Sequence, residues 1–245
     1  MKIFVNGCSI TWGAELEGLG HDSVHSESAS KIREEKRYST ILGNKLNAEV
    51  VNLAQSGVSN DWIVEKTISW FTNNNADLAV IQFTEPSRWL WYDEKNKERW
   101  MCIHKTMRHA SKSQRFSNTR REELLTASIY YRSIYSDMMG IQNRWKNQHL
   151  LELFFKSKNI RYIFVDMKSH HYDQKIIDCN WKTLCENKDI PDLMWENSVL
   201  DSHLIKPENY APDLGVGQLR GGHPSAIGHQ RIAEYLIDIY NLVEV

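Results

Sequence analysis

The stretch KIFVNGCSIT, residues 2–11, decides the fold, because it joins a short strand to a sharp turn and a serine. The run KIFVN is rich in β-forming side chains and ends at Gly7, the residue type expected where a strand turns sharply. Ser9 therefore follows the strand directly and is expected at the carboxyl edge of a sheet. A serine hydroxyl there is a candidate nucleophile if the fold brings a histidine to it as a base.

Two later runs, DLAVIQFT (77–84) and NIRYIFVDM (159–167), are continuous and apolar, which is typical of strands covered on both faces. AEVVNLA (48–54) predicts another short strand that ends near Asn52. Helical patterns alternate with these strands. The sequence therefore predicts an α/β protein with three α/β/α layers and a central parallel sheet.

The intervening segments carry their own signals. Ser59 is a plausible N-cap for a helix through Trp70, and a helical stretch from Arg121 to Lys158 is interrupted at Gly140. The polar stretch from about Glu15 to Lys36 predicts a long loop.

The segment GGHPSAIGH, residues 221–229, predicts the start of the last helix, because Pro224 suits a first helical turn. His223 enters this helix and is the candidate base for Ser9, while His229 is interpreted as a packing or surface residue. The apolar stripe of the helix consists of Ile227, Ile232, Ala233, Leu236 and Tyr240.

Three blocks of the sequence resemble those of the SGNH (GDSL-like) hydrolases. GCSIT (7–11) is similar to the family's G-D-S-x-T, with Cys8 in place of the usual Asp. NLAQSG (52–57) resembles the second block, and HPSAIGHQRIAEYL (223–236) resembles the last block with its helix. The resemblance implies an SGNH-type (flavodoxin-like) α/β/α architecture.

The resemblance also implies roles for particular residues. Ser9 is the nucleophile, His223 is the general base, and the N–H groups of Ser9 and Gly57 bind the oxyanion. Asn52 either contacts substrate or only stabilises the turn beneath the site.

Two departures from the family pattern concern catalysis. The family's third block has an Asn after the third strand, whereas this strand ends QFTEPSR and leaves Thr84 nearest the place. The family's acid stands three residues before the histidine, where this chain has Arg220. The site is then a Ser-His dyad, takes a carboxylate from elsewhere, or is inactive. Asp213 is the first choice for a substitute and Asp201 the second.

The sequence therefore predicts a serine hydrolase acting on carboxylic esters, among them O-acetyl groups of a carbohydrate. The chemistry requires no cofactor. The alternative is a catalytically weak or inactive binding or assembly protein with the same fold.

The 245 residues suit one domain, 1–245, with insertions at about 86–121 and 168–222. Hydrophobic content is 41%, charged content is 25% and net charge is -1, which is the balance of an ordinary soluble protein rather than a nucleic-acid binder. The first insertion contains Trp89, Trp91, Tyr92 and Trp100, which form either packing or a sugar-stacking platform. Its basic run, 104–121, is either a solvated face or an attractor of anionic substrate.

The N-terminal apolar run is too short for a signal peptide or a membrane span, and the four cysteines are scattered, so a cytoplasmic protein with reduced thiols is expected. Association with a virus particle is equally compatible with these features. The pairs His104/His109 and His170/His171 lack companion ligands at a recognised spacing, so no metal site is predicted. The partner expected is a small-molecule or glycan ester, and the sequence does not determine the oligomeric state.

Overall fold

The computed structural model describes residues 1–16, 26–92, 100–103, 129–166, 180–186, 223–224 and 226–243. The strands in these ranges are β1 (Lys2–Asn6), β2 (Glu49–Asn52), β3 (Leu78–Phe83), β4 (Trp89–Tyr92), β5 (Trp100–Ile103) and β6 (Arg161–Asp166). The helices are α1 (Ser9–Trp12), α2 (Glu27–Lys36), α3 (Tyr38–Lys45), α4 (Asn60–Asn73), α5 (Asp137–Ser157), α6 (Asn180–Leu184) and α7 (Ala226–Val243).

Within the described ranges, four strands form a parallel sheet in the order β2-β1-β3-β6. Val5 of β1 pairs with Asn52 of β2 on one side and with Val80 of β3 on the other. Phe83, the last residue of β3, pairs with Asp166 of β6. The carboxyl ends of these parallel strands lie at one edge, and the turn that carries Ser9 lies there between the ends of β2 and β3.

The side chains of β1 alternate between two cores, one on each face of the sheet. Ile3 and Val5 belong to the core that is closed by α3 and α7, and Phe4 belongs to the core that is closed by α4 and α5. The first core includes Tyr38, Leu42, Ile232 and Leu236, and the second includes Ile63, Phe71, Leu151 and Phe155. Helices therefore cover both faces, which confirms the predicted three-layer α/β/α fold.

Three local predictions need correction. Residues 27–36, predicted as loop, form α2, because Ser26 accepts a hydrogen bond from Ala29 N–H at the helix start and Arg33 is buried. Gly140 lies inside α5 and does not interrupt it. A Cβ at position 140 would lie 2.7 Å from the carbonyl oxygen of Pro86. Glycine is therefore needed at this position because the backbone at Pro86 passes close to α5.

The first turn of α7 also differs from the prediction, since Ile227 is 57% exposed. The buried face of the helix begins at Gly228 and His229, and its buried apolar side chains are those of Ile232, Ala233, Leu236 and Tyr240. In the described part of the first insertion, β4 and β5 pair as an antiparallel hairpin. Among the described residues, no helix is both long enough and apolar enough to cross a bilayer.

Candidate active site

The turn between β1 and α1 positions Ser9. Gly7 is needed in this turn, because a Cβ there would lie 2.5 Å from Thr11 Oγ1 and 2.7 Å from Gln82 Cβ. Ser9 is the first residue of α1 and is 4% exposed, and its Oγ lies 3.8 Å from Cys8 Sγ. The N–H of a first helical residue has no acceptor within its own helix, so the Ser9 N–H is suited to binding an oxyanion.

Hydrogen bonds fix α1 against β3. The Thr11 N–H donates to Gln82 Oε1 at 3.1 Å, and the Thr11 hydroxyl donates to the same oxygen. Since the Thr11 proton is used in this way, the Tyr38 hydroxyl donates to Thr11 Oγ1, at 2.9 Å. Burial raises the pKa of Tyr38, which keeps this hydroxyl protonated. Ser9 therefore stands on a helical turn whose position is fixed from below.

Asn52 ties the same turn to the end of β2. Its Nδ2 donates to the Thr11 carbonyl oxygen at 2.9 Å and to Ser39 Oγ at 2.8 Å. Its Oδ1 accepts a hydrogen bond from Ala54 N–H at 2.8 Å. With both ends of the amide used inside the protein, the geometry favours the turn-stabilising interpretation of Asn52 over direct contact with substrate.

His223 lies beside a carboxylate that follows the Ser9 turn. Its Nδ1 is 3.2 Å from Glu15 Oε2, within ion-pair distance, but the two atoms do not form a hydrogen bond. The His223 side chain is 22% exposed and the Glu15 side chain is 13% exposed. Ala14, which precedes Glu15, donates its N–H to the Ser9 carbonyl oxygen at 2.9 Å. Glu15 and His223 therefore lie at the same sheet edge as Ser9.

The backbone of Glu15 is left-handed, with φ +70°. This conformation costs a non-glycine residue on the order of 1–3 kcal/mol, so the surrounding structure must maintain it. Sequence reasoning missed Glu15, because the residue begins a polar stretch that was predicted as loop. The sequence feature closest to Glu15 that indicates a turn is Gly13, which ends α1 in a left-handed conformation.

The hydrogen bonds of the described residues do not include one between Ser9 Oγ and His223. Catalytic hydrogen bonds are often long or misaligned before substrate binds and shorten in the reactive complex.

A second histidine supports the site from α7. His229 is fully buried and its Nδ1 accepts a hydrogen bond from Tyr38 N–H at 3.1 Å. Burial, with a smaller contribution from the nearby His223, lowers the pKa of His229 to about 3. His229 is therefore neutral at physiological pH and acts as a fixed acceptor that holds α3 to α7.

Thr84 and Gly57 are placed differently from each other. The Thr84 N–H donates to Asn60 Oδ1 at 2.8 Å, and Asn60 Nδ2 donates to the Thr84 carbonyl oxygen at 3.0 Å. The Thr84 backbone is thus committed to Asn60, a buried contact that the sequence did not indicate. Gly57 is exposed in a turn with φ +84°, and no atom lies within 4 Å of where its Cβ would be.

Two grooves lie beyond the carboxyl ends of strands of the sheet, and neither Ser9 nor His223 is among the described residues that line them. The groove beside the end of β2 has a volume of about 420 Å³, and its walls are formed by Trp12, Leu53, Ala54, Gln55, Trp62 and Lys66. The groove beyond the end of β3 has a volume of about 280 Å³ and is lined in part by Trp89, Tyr130, Tyr135 and Trp181. Aromatic rings therefore line both grooves, and Trp12 of the first groove belongs to α1, which Ser9 begins.

Several sequence predictions fall outside the described residues. They are Asp213, Asp201 and Arg220, the basic run 104–121, and the histidine pairs at 104/109 and 170/171.

No family model matches the sequence, and no curated protein matches it. Solved structures do match. A family two carbohydrate esterase from Clostridium thermocellum, in complex with cellohexaose, gives a TM-score of 0.50 at 14% identity. The match covers 99% of this chain and 64% of that chain. The chain has the α/β fold of SGNH hydrolases.

Two further structures match with lower TM-scores. An acetyl xylan esterase from the rumen bacterium Butyrivibrio proteoclasticus gives a TM-score of 0.48 at 14% identity, covering 97% of this chain and 63% of that chain. A protein described as lipolytic and of the G-D-S-L family, from Desulfitobacterium hafniense, gives 0.43 at 12% identity, covering 97% and 98%. At such identities the similarity concerns the fold alone.

Proposed function

We propose that the protein is a serine hydrolase that cleaves carboxylic esters, with Ser9 as nucleophile, His223 as general base and Glu15 as the carboxylate that orients the base. The observation that carries the proposal is the 3.2 Å approach of Glu15 Oε2 to His223 Nδ1. With Nδ1 facing a carboxylate, Nε2 is the nitrogen that can accept the Ser9 proton. A carboxylate on the far nitrogen fixes the tautomer and stabilises the imidazolium that forms.

The proposed reaction has two halves. Ser9 Oγ attacks the ester carbonyl while His223 takes its proton, and the N–H groups of Ser9 and Gly57 bind the oxyanion. The Thr84 N–H donates to Asn60 and therefore has no part in this step. The alcohol leaves with the proton from His223, which gives an acyl-serine. Water then attacks the acyl-serine as His223 removes its proton, and the acid departs as the Ser9 hydroxyl is restored.

Glu15 takes the place that the family gives to an acid three residues before the histidine. The chemistry requires a carboxylate near Nδ1 but does not require that it come from a particular segment. Glu15 follows α1, which is fixed by Thr11 and Asn52, so the carboxylate shares a rigid support with the nucleophile.

For the substrate, we propose the ester of a carbohydrate, such as an O-acetyl group on a sugar ring. Aromatic side chains in both grooves offer flat apolar surfaces to a sugar, and polar groups such as Gln55 and Asn143 lie among them. The Clostridium esterase, which shares the fold, was solved with cellohexaose.

The experiment compares the wild type with Ser9→Ala, Glu15→Gln and Glu49→Gln, using labelling by a fluorophosphonate probe and hydrolysis of p-nitrophenyl acetate. Ser9→Ala should abolish both signals. Glu15→Gln should lower kcat by about 10²- to 10⁴-fold, because an amide cannot stabilise the imidazolium. Glu49 is an exposed carboxylate at the amino end of β2, so Glu49→Gln controls for removal of a charge and should retain wild-type activity.

If neither labelling nor hydrolysis depends on Ser9, the hydrolase proposal is wrong, and the alternative of a binding or assembly protein is favoured. If Ser9 is required but Glu15→Gln has wild-type kcat, Glu15 is not the orienting carboxylate.

The carbohydrate proposal is tested separately with acetylated xylo-oligosaccharides. Trp89 is 37% exposed in the groove beyond β3, so Trp89→Ala should raise KM for the acetylated sugar. The KM for p-nitrophenyl acetate should change little, because this ester has no sugar ring to stack on Trp89. Equal changes for the two esters would contradict the role of this groove in sugar binding.

A further inference from the structure

A cluster of metal-ligating side chains lies away from the Ser9 site, where α5 meets α6. His149 and Glu152 stand one helical turn apart on α5, and Cys185 directly follows α6. A ring nitrogen of His149, a carboxylate oxygen of Glu152 and Sγ of Cys185 all lie within 4.8 Å of one another. Residues 180–186 belong to the second insertion, so the cluster joins that insertion to the body of the domain.

We propose that His149, Glu152 and Cys185 bind a zinc ion, with water as the fourth ligand. Tetrahedral zinc has bonds of about 2.0–2.1 Å to nitrogen, 2.0–2.2 Å to oxygen and 2.3 Å to sulfur, so neighbouring ligand atoms are separated by roughly 3.3–3.7 Å. His149 Nδ1 lies 3.9 Å from Glu152 Oε2, a few tenths of an ångström from that spacing. A mixed set of imidazole, carboxylate and thiolate favours zinc over magnesium or calcium, which prefer oxygen alone.

Glu152 is held as metal-ligating carboxylates commonly are. It is 1% exposed, its Oε1 accepts from Gln148 Nε2 at 2.9 Å, and its Oε2 accepts from Glu186 N–H at 3.1 Å. Gln148 in turn accepts from Arg144, which is paired with Asp166 at 2.7 Å. Hydrogen bonds from neighbouring residues to a ligating carboxylate fix its direction before the metal binds.

His149 supplies the second, independent observation. Its Nδ1 is buried and makes no hydrogen bond among the described residues. A buried nitrogen without a hydrogen-bond partner is uncommon in folded proteins, and coordination of a metal ion is one way in which an imidazole nitrogen is satisfied.

Cys185 is buried, and its Sγ contacts the carbonyl oxygens of Trp145 and Trp181, each at 3.4 Å. Binding replaces the S–H bond by a sulfur–zinc bond and releases one proton to solvent. The thiolate and the Glu152 carboxylate then balance the charge of Zn²⁺, while His149 binds as the neutral imidazole. The site is therefore electrically neutral, which suits its buried position.

The test uses the whole protein, reduced, stripped of metal with a chelator and titrated with Co²⁺. The wild type should bind one equivalent, with visible d–d bands of tetrahedral cobalt and a near-ultraviolet thiolate-to-cobalt band, and Zn²⁺ should displace it. Cys185→Ser should lose the thiolate band, and His149→Gln should weaken binding at least tenfold. Cys8→Ala is the matched control for removal of a buried thiol and should keep the full spectrum.

Circular dichroism at the same time establishes that each variant is folded, and Zn²⁺ should raise the Tm of the wild type but not of Cys185→Ser. The proposal is overturned if the reduced wild type binds no stoichiometric cobalt. It is also overturned if folded Cys185→Ser retains the thiolate band, because another cysteine would then be the ligand. Neither readout depends on ester hydrolysis, so the result is separate from that of the Ser9 experiments.

Discussion

The buried histidine of α7 gives a pH dependence of stability that can be worked out from its contacts. His229 Nδ1 accepts a hydrogen bond from Tyr38 N–H, so the ring proton of the neutral imidazole is on Nε2. A second proton would have to go on Nδ1, where it would face the Tyr38 N–H. Protonation would therefore also remove this hydrogen bond. Burial of the charge, with a smaller contribution from the nearby His223, lowers the pKa of His229 to about 3.

The direction in which stability changes with pH follows from the pKa of His229 in the unfolded and folded states. The unfolded chain has the ordinary histidine pKa of about 6.5, so between about pH 6.5 and 3 the unfolded state binds a proton that the folded state does not. The free energy of unfolding therefore reaches a plateau above pH 6.5 and decreases as the pH falls below it. Integration from pH 7.5 to pH 5.0 gives a loss of about 2 kcal/mol from this one residue.

His229→Asn is the informative change, because the Asn Oδ1 can still accept from Tyr38 N–H but does not titrate. The assay is urea unfolding of the wild type and the variant at pH 7.5 and pH 5.0, followed by circular dichroism. The variant is expected to be less stable at pH 7.5 through lost packing, and this deficit should shrink by about 2 kcal/mol at pH 5.0. A deficit that is the same at both pH values would refute the reasoning.

If His229→Asn does not fold, a pH titration of the wild type by NMR tests the same reasoning. The ring proton resonances of His229 in the folded protein should show no titration between pH 8 and pH 5. A midpoint within that interval would also refute the assigned cause.

The remaining predictions concern packing. Gly7→Ala should destabilise the protein by about 1–3 kcal/mol and abolish labelling of Ser9, because the added Cβ overlaps groups beneath the turn; unchanged labelling would contradict the role of Gly7. Leu151→Ala should cost about 2–5 kcal/mol in urea unfolding, since Leu151 is fully buried in the core between the sheet and α5. Leu150, on the same helix, is 45% exposed, and Leu150→Ala should change stability by only about 0.5 kcal/mol. Equal costs for these two leucines would contradict the assigned burial.

The layers of this protein could be predicted from the sequence because short apolar runs and helical periodicity alternate along the chain. The apolar runs of β3 and β6 are buried strands as expected, and Ser59 accepts a hydrogen bond from Trp62 N–H at the start of α4, as its position before the helix predicted. These inferences depend on neighbours within a few residues. The same local logic failed for residues 27–36, where low hydrophobicity concealed a helix that is stabilised by its cap and by two buried side chains.

Contacts between segments that are distant in the sequence could not be predicted from such local patterns. Asn60 occupies both backbone groups of Thr84, 24 residues away, and nothing in the pattern around Asn60 distinguishes it from an ordinary helix-start residue. His149, Glu152 and Cys185 likewise meet only because α6 packs on α5. No rule of spacing links a cysteine to a histidine 36 residues before it when the intervening segment includes a strand.

Glu15 could not be predicted for both reasons: its backbone conformation is unusual, and its partner is distant in the sequence. Its left-handed backbone is not encoded by its residue type, and its partner His223 comes from the opposite end of the chain. Yet the role of an orienting acid is defined by distance to one ring nitrogen, and the turn after Ser9 and the entry to α7 lie at the same sheet edge. Under the proposed mechanism, a carboxylate on either segment can serve His223, so Arg220 at the usual acid position is compatible with catalysis if Glu15 is the orienting acid. The Glu15→Gln variant distinguishes the two arrangements, because a large loss of kcat is expected only if the carboxylate has moved to the nucleophile's own turn.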